Sequence, residues 1–173
     1  MKRVAPLVLA ASLLLAACTA DSGSNASAAP AKPKDFCHAM QAAATAAQPA
    51  ATTLNDLFSI IDSMASGSTE GDIDALHTAG ANAEAASTTY IDALETAQSL
   101  APDSIADDLS TLSDYWTLYA VGMAQIAQNV PSYGKLIDQT QALSTADTTS
   151  ALIEQQPEAQ SRINDGYLAE CAG

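Results

Sequence analysis

The side chains in this 173-residue chain best suited to proton transfer or metal binding are two histidines, His38 and His77. Neither stands in a His-Glu-x-x-His, Glu-x-x-His or Cys-x-x-Cys pattern, so zinc-hydrolase and di-metal carboxylate chemistry lack their ligands. His77 follows Asp74 by three residues, which puts both on one helix face within reach of a shared cation, but the sequence places no third ligand. The segment Glu70-Gly71-Asp72-Ile73-Asp74 alternates carboxylates as calcium loops do. It fails as an EF-hand, because Ala75 replaces the turn glycine and Ala81 the bidentate glutamate. These acids read instead as first-turn carboxylates behind an N-cap at Ser68 or Thr69, and Asp107-Asp108 reads the same way. His38, beside Cys37, reads as a local hydrogen-bonding residue near a helix start. Gly-x-Ser-x-Gly and phosphate-binding glycine loops are missing, so neither nucleophilic catalysis nor nucleotide binding has a sequence basis. Tyr115, Trp116 and Tyr119 cluster within one helix; Trp116 and Tyr119 fit core packing and Tyr115 a boundary position, with an apolar pocket among them left open. The expectation is a protein with no catalytic residues, no cofactor, no metal ligands and no enzymatic activity.

The cysteines carry the stronger chemistry. Residues 1–17 hold Lys2 and Arg3, an apolar stretch from Val4 to Leu15, and then Ala16-Ala17 before Cys18, the layout of a signal peptide. The apolar stretch is about a dozen residues, short of the roughly 20 that a membrane-spanning helix needs. Leu15-Ala16-Ala17-Cys18 resembles the lipobox of bacterial lipoproteins, which implies that Cys18 receives a diacylglyceryl thioether and becomes the mature N-terminus. Three cysteines in an oxidising compartment leave one odd thiol, and lipidation of Cys18 leaves Cys37 and Cys171 to form a disulfide. Residues 18–34 are small, polar and proline-bearing, and read as a lipidated cysteine followed by a flexible linker spanning about 20 to 25 Å. Residues 35–173 form the expected folded domain.

After Cys18 there are 4 basic against 20 acidic residues, a net charge of −16. From Asp35 to Gly134 there is no lysine or arginine, so acids in this stretch have ion-pair partners within the domain only in Lys135 and Arg162. Such a surface repels phosphate backbones, and nucleic acid is excluded as a partner.

The composition dictates helices as the scaffold. Alanine, the best helix former, fills 38 positions, and no hairpin signal divides alternating runs. The clearest helix runs from about Asp103 to Val130, with Ile105, Leu109, Leu112, Trp116, Tyr119, Met123, Ile126 and Val130 alternating spacings of four and three. Ser104 and Asp107 offer a capping box at its start, and Pro131 ends it. A second helix, from about Glu70 to Leu100, places Ile73, Leu76, Gly80, Ala83, Ser87, Tyr90, Leu94 and Ala97 on a similar stripe; its small residues predict a close helix approach. A first helix from Asp35 to about Ser66 should break or kink at Pro49. The C-terminal stretch holds a short amphipathic piece with Leu136, Ile137 and Leu143, then a helix from about Asp147 perturbed by Pro157. The expected fold is all-α, an up-down four-helix bundle closed by a disulfide between its N- and C-terminal ends. An even arm count brings Cys37 and Cys171 to the same end; six shorter helices also satisfy this.

Asp35-Phe36-Cys37, Ala101-Pro102-Asp103 with Ile105-Ala106-Asp107-Asp108, and the closing Tyr167-Leu168-Ala169-Glu170-Cys171-Ala172-Gly173 resemble uncharacterised small helical proteins, secreted or lipid-anchored, of high-GC actinobacteria. That resemblance implies architecture and location, with no activity attached. Together these readings predict a non-catalytic lipoprotein on the extracytoplasmic face of the cell membrane, anchored through Cys18 and serving an unknown envelope protein or ligand. The alternative is an extracytoplasmic binding protein for a hydrophobic small molecule or a cation.

Overall fold

The computed structural model describes residues 33–66 and 72–171. The signal segment, Cys18, the linker up to residue 32, and Ser68, Thr69, Glu70 and Gly71 lie outside the described residues. The chain forms an all-α bundle of α1 (Pro33–Ala65), α2 (Asp72–Leu100), α3 (Asp103–Tyr115), a π-helical turn (Trp116–Val121), α4 (Gly122–Asn129), α5 (Tyr133–Thr145) and α6 (Asp147–Cys171).

The first helix does not break at Pro49. Pro49 has no N–H for the carbonyl of Thr45, yet both residues are exposed, so water can take that carbonyl and the helix continues. Thr53 Oγ1 in turn donates to the Pro49 carbonyl at 2.9 Å. α6 likewise continues through exposed Pro157, which frees the carbonyl of half-buried Ile153. The inner row of α1, including Phe36, Met40, Ala43, Ala47, Ala50, Leu54 and Leu57, is buried, chiefly against α2.

The expected stripe of α2 is inside. Leu76, Gly80, Ala83, Ser87, Tyr90, Leu94 and Ala97 are all buried. A Cβ on Gly80 would lie 2.7 Å from the Ala124 carbonyl oxygen, so glycine is what lets α2 and α4 approach this closely.

The third rod follows the predicted helix, with two corrections. Its start is not a capping box: Pro102 precedes the first turn in extended conformation with no side-chain cap bond, and Ser104 already lies inside the helix. The Pro102 carbonyl accepts from the N–H groups of Ile105 and Ala106. The second correction is the π turn in the middle of the rod. Bonding from i to i+5 adds a residue to that turn, so the buried row advances in steps of four through Leu112, Trp116, Ala120 and Ala124. Tyr119 and Ile126, expected inside, are consequently half-buried, whereas Tyr115, expected at the boundary, is 3% exposed.

The fourth arm is in two pieces. As positions on the third rod descend through Gly122, Asp108 and Ile105, they meet Leu143, Arg162 and Gly166 in ascending order, so α5 and α6 both run back along that rod. Ala146, in extended conformation, joins them. The arm count therefore stays even, and α6 ends beside the start of α1. The Cys37–Cys171 disulfide closes the bundle there, with the two Cα atoms 5.7 Å apart and 134 residues between them in sequence. A ring of that size stabilises by about 5 kcal/mol if loop entropy governs.

Candidate functional site

α1 meets the π turn in an aromatic cleft. Ala51, Leu54, Asn55 and Phe58 form one wall, and Tyr115, Trp116, Tyr119 and Ala120 the other. The three ring residues expected as a cluster are brought together. Tyr115 stacks on Tyr119 with centroids 5.5 Å apart, and Trp116 packs edge-on against Tyr90 of α2 at 4.9 Å. Such pairs contribute roughly 0.5–1.5 kcal/mol beyond area burial and hold the rings in fixed orientations. Burial pushes the phenols of Tyr90, Tyr115 and Tyr119 up from their ordinary value, so all three are neutral at physiological pH. The enclosed space is about 20 Å³, room for one water-sized group.

The cleft and α6 share one face of the third rod. On the third rod, Ile105, Asp108, Leu112, Tyr115 and Tyr119 follow one another at spacings of three and four, a single face. α6 covers the lower part of this face through Gly166 over Ile105 and Arg162 on Asp108. No α5 or α6 residue lines the cleft at the level of Tyr115 and Tyr119. α1 supplies the opposite wall through a row Ala51, Asn55 and Phe58, which Asp62 extends by one more turn. Sequence reasoning did not single out this α1 wall. Its signal is faint, because apolar Ala51 and Phe58 share the row with exposed Asn55 and Asp62.

Among the described residues, the buried acid lies one turn below Leu112. Asp108 is almost fully buried and takes a two-pronged bond from Arg162, through Nε and Nη2, while Nη1 of Arg162 reaches Glu158 at 2.6 Å. The reading of Asp108 as a first-turn cap is corrected: it faces α6 and fixes that helix's register. The hint lay in Arg162, the sole arginine after Arg3. Lys135 pairs loosely with Asp138 at 3.8 Å. Between α2 and α4, Glu84 accepts from the side-chain amides of Gln128 (2.6 Å) and Gln125 (2.8 Å), which hold its carboxyl below the usual range.

His77 does not reach toward a cation with Asp74. Its Nε2 donates to the buried carbonyl of Val130 at 2.9 Å, tying α2 to the end of the third rod. His38 is exposed. Among the described residues, no three His, Cys, Asp or Glu side chains are grouped to hold a metal ion, and no helix is long and apolar enough to cross a membrane. Cys37 and Cys171 are joined as predicted. No protein-family model, curated protein or solved structure matches the chain.

Proposed function

We propose that the protein is a non-catalytic lipoprotein of the cell envelope, held on the extracytoplasmic face by a lipid on Cys18, with the acidic bundle acting as an interaction module. The observation that carries this reading is the Cys37–Cys171 bridge. It consumes two of the three cysteines and leaves Cys18, in its Leu-Ala-Ala-Cys context, as the thiol for acylation. The linker then joins the bundle at the start of α1, the end that also carries the bridge. The interaction reading is preferred to a carrier for a hydrophobic small molecule because drug-sized ligands occupy about 300 Å³ or more, whereas the aromatic cleft encloses about 20 Å³.

Metabolic labelling with a fatty-acid analogue tests the anchor. Label on wild type, none on Cys18→Ser, and release of the variant into the medium are the expected results. An unlabelled wild-type chain shed as readily as the variant would refute it. Recovery of a stoichiometric envelope protein after cross-linking supports the module; a stoichiometric extracted lipid would favour the carrier.

A further inference from the structure

We propose that the cleft between α1 and the π turn is a binding site for a methylated ammonium head group, the cation of choline-like compounds. The site goes beyond the reading of the bundle as an anchored module and stands whether or not Cys18 carries a lipid.

Phe58, Tyr115, Trp116 and Tyr119, four of the eight aromatic residues in the chain, line this one cleft. The planes of Tyr115 and Trp116 stand 88° apart with centroids separated by 6.4 Å, while Tyr119 lies within 26° of Tyr115. Rings in two nearly perpendicular planes therefore bound the space, and the face of each ring is an electron-rich surface that attracts a cation. Burial grades from floor to mouth. Leu54, Tyr115, Trp116 and Ala120 are buried, Phe58 and Tyr119 are half-buried, and Asn55 is exposed. A head group entering past Asn55 thus reaches the most desolvated rings last, where cation–π attraction is strongest. The edge-on contact with Tyr90 fixes Trp116 in advance, so binding has few side chains left to order.

Charge, hydrogen bonding and size together select the occupant. All the lining residues fall between Asp35 and Gly134, a stretch with no lysine or arginine, and the α1 row through Ala51, Asn55 and Phe58 continues to exposed Asp62. An anion is repelled by such a surface and a cation is drawn in. Besides the two phenols, Asn55 supplies the only polar side chain of the lining. A primary ammonium or a guanidinium would therefore give up its water without acceptors for its N–H groups. A quaternary ammonium has no N–H to satisfy and spreads its charge over its methyl groups. The enclosed space of about 20 Å³ takes one of those methyls, and the rest of the head lies in the mouth beside Phe58 and Tyr119.

The test uses the full chain with Cys18→Ser, its disulfide intact, titrated with choline chloride while sodium chloride holds the ionic strength constant. Trp116, the one tryptophan, lines the cleft and reports occupancy by its emission. The expected result is a saturable emission shift with a Kd of about 1 mM or below, and binding at least about tenfold weaker for the uncharged analogue that has carbon in place of the nitrogen. Asn55→Lys, at the exposed mouth, should weaken choline binding by about tenfold, whereas Asn55→Asp should not weaken it. Phe58→Leu and Tyr119→Leu should each weaken it by roughly threefold to tenfold. Circular dichroism confirms that the variants keep the fold, and the Asn55 pair decides the matter if a ring variant does not. Saturation by free choline assigns the head group to a small solute; a shift with phosphatidylcholine vesicles but none with free choline assigns it to a lipid. Equal binding of the uncharged analogue, equal affinities for Asn55→Lys and Asn55→Asp, or no shift with either choline or vesicles would overturn the proposal. An unlabelled Cys18 would leave the cation site standing, and a silent cleft would leave the anchor standing.

Discussion

Ser87 is fully enclosed on the inner face of α2, and its hydroxyl meets neither donor nor acceptor. A buried polar group without a partner costs about 1–3 kcal/mol, and alanine is also the better helix former. Ser87→Ala should therefore stabilise the bundle by about 1 kcal/mol in urea unfolding; a loss of stability would mean that the hydroxyl is satisfied. Tyr90 and Tyr115 act at the opposite end of the pH scale. Their folded values are raised above the unfolded value of about 10, so the folded state holds these protons more tightly. Their contribution to stability is complete below about pH 10 and falls as pH rises above it. Tyr90→Phe should flatten that alkaline decline in melting temperature, and an unchanged slope would contradict the assignment. The Asp108–Arg162 pair was not legible in the sequence, because 54 residues separate its members and nothing local marks which of the acids turns inward.

Helix packing turns on glycine at one place and is indifferent to it at another. A Cβ at Gly80 collides with the Ala124 backbone oxygen, which has no side-chain freedom to yield, whereas a Cβ at Gly134 of α5 meets nothing within 4 Å. Gly134→Ala should stabilise by up to about 1 kcal/mol through helix propensity. Gly80→Ala should destabilise by about 1–3 kcal/mol, because overpacking outweighs the same propensity gain. Thermal melts of the two variants check the pair, and a shared sign would contradict the close approach of α2 to α4. The small residues of the α2 stripe had announced that approach, since a row of glycine, alanine and serine has no other use on an inward face. The π turn was not announced. Trp116 to Val121 sits inside a stripe of helical spacing, and i to i+5 bonding leaves no local signature beyond a slip in which residues point inward. That slip moved Tyr115 inside and Tyr119 outward. At Pro49 the sequence left a break and a kink both open; the helix continues through it, because the carbonyl it frees lies on the exposed side of α1.

The whole molecule carries its charge without compensation. Arg162 is engaged by Asp108 and Glu158, and Lys135 by Asp138, while exposed carboxylates such as Asp56, Asp62, Asp92, Glu95 and Asp107 repel one another across the surface. Screening shortens the reach of that repulsion to about 10 Å at 0.1 M salt. Raising sodium chloride from about 10 to about 500 mM should raise the melting temperature by a few degrees. A sharp rise with micromolar calcium but none with sodium chloride would point instead to a specific cation site near Asp74 and His77. The even arm count was legible because cysteine parity constrains both ends of the bundle at once; the division of the fourth arm at Ala146 was not, since α5 and α6 differ in direction less than in which helix they touch. The bridge also has a mechanical consequence. Tension applied at the start of α1 enters a covalent ring at Cys37, so α1 cannot be peeled away alone: the load divides at once between α1 and α6. Pulled from residues flanking Cys37 and Cys171, the oxidised chain keeps about 450 Å of contour length out of reach. That length should appear in force–extension traces after reduction and be missing before it, which makes the disulfide a strain limiter for the bundle.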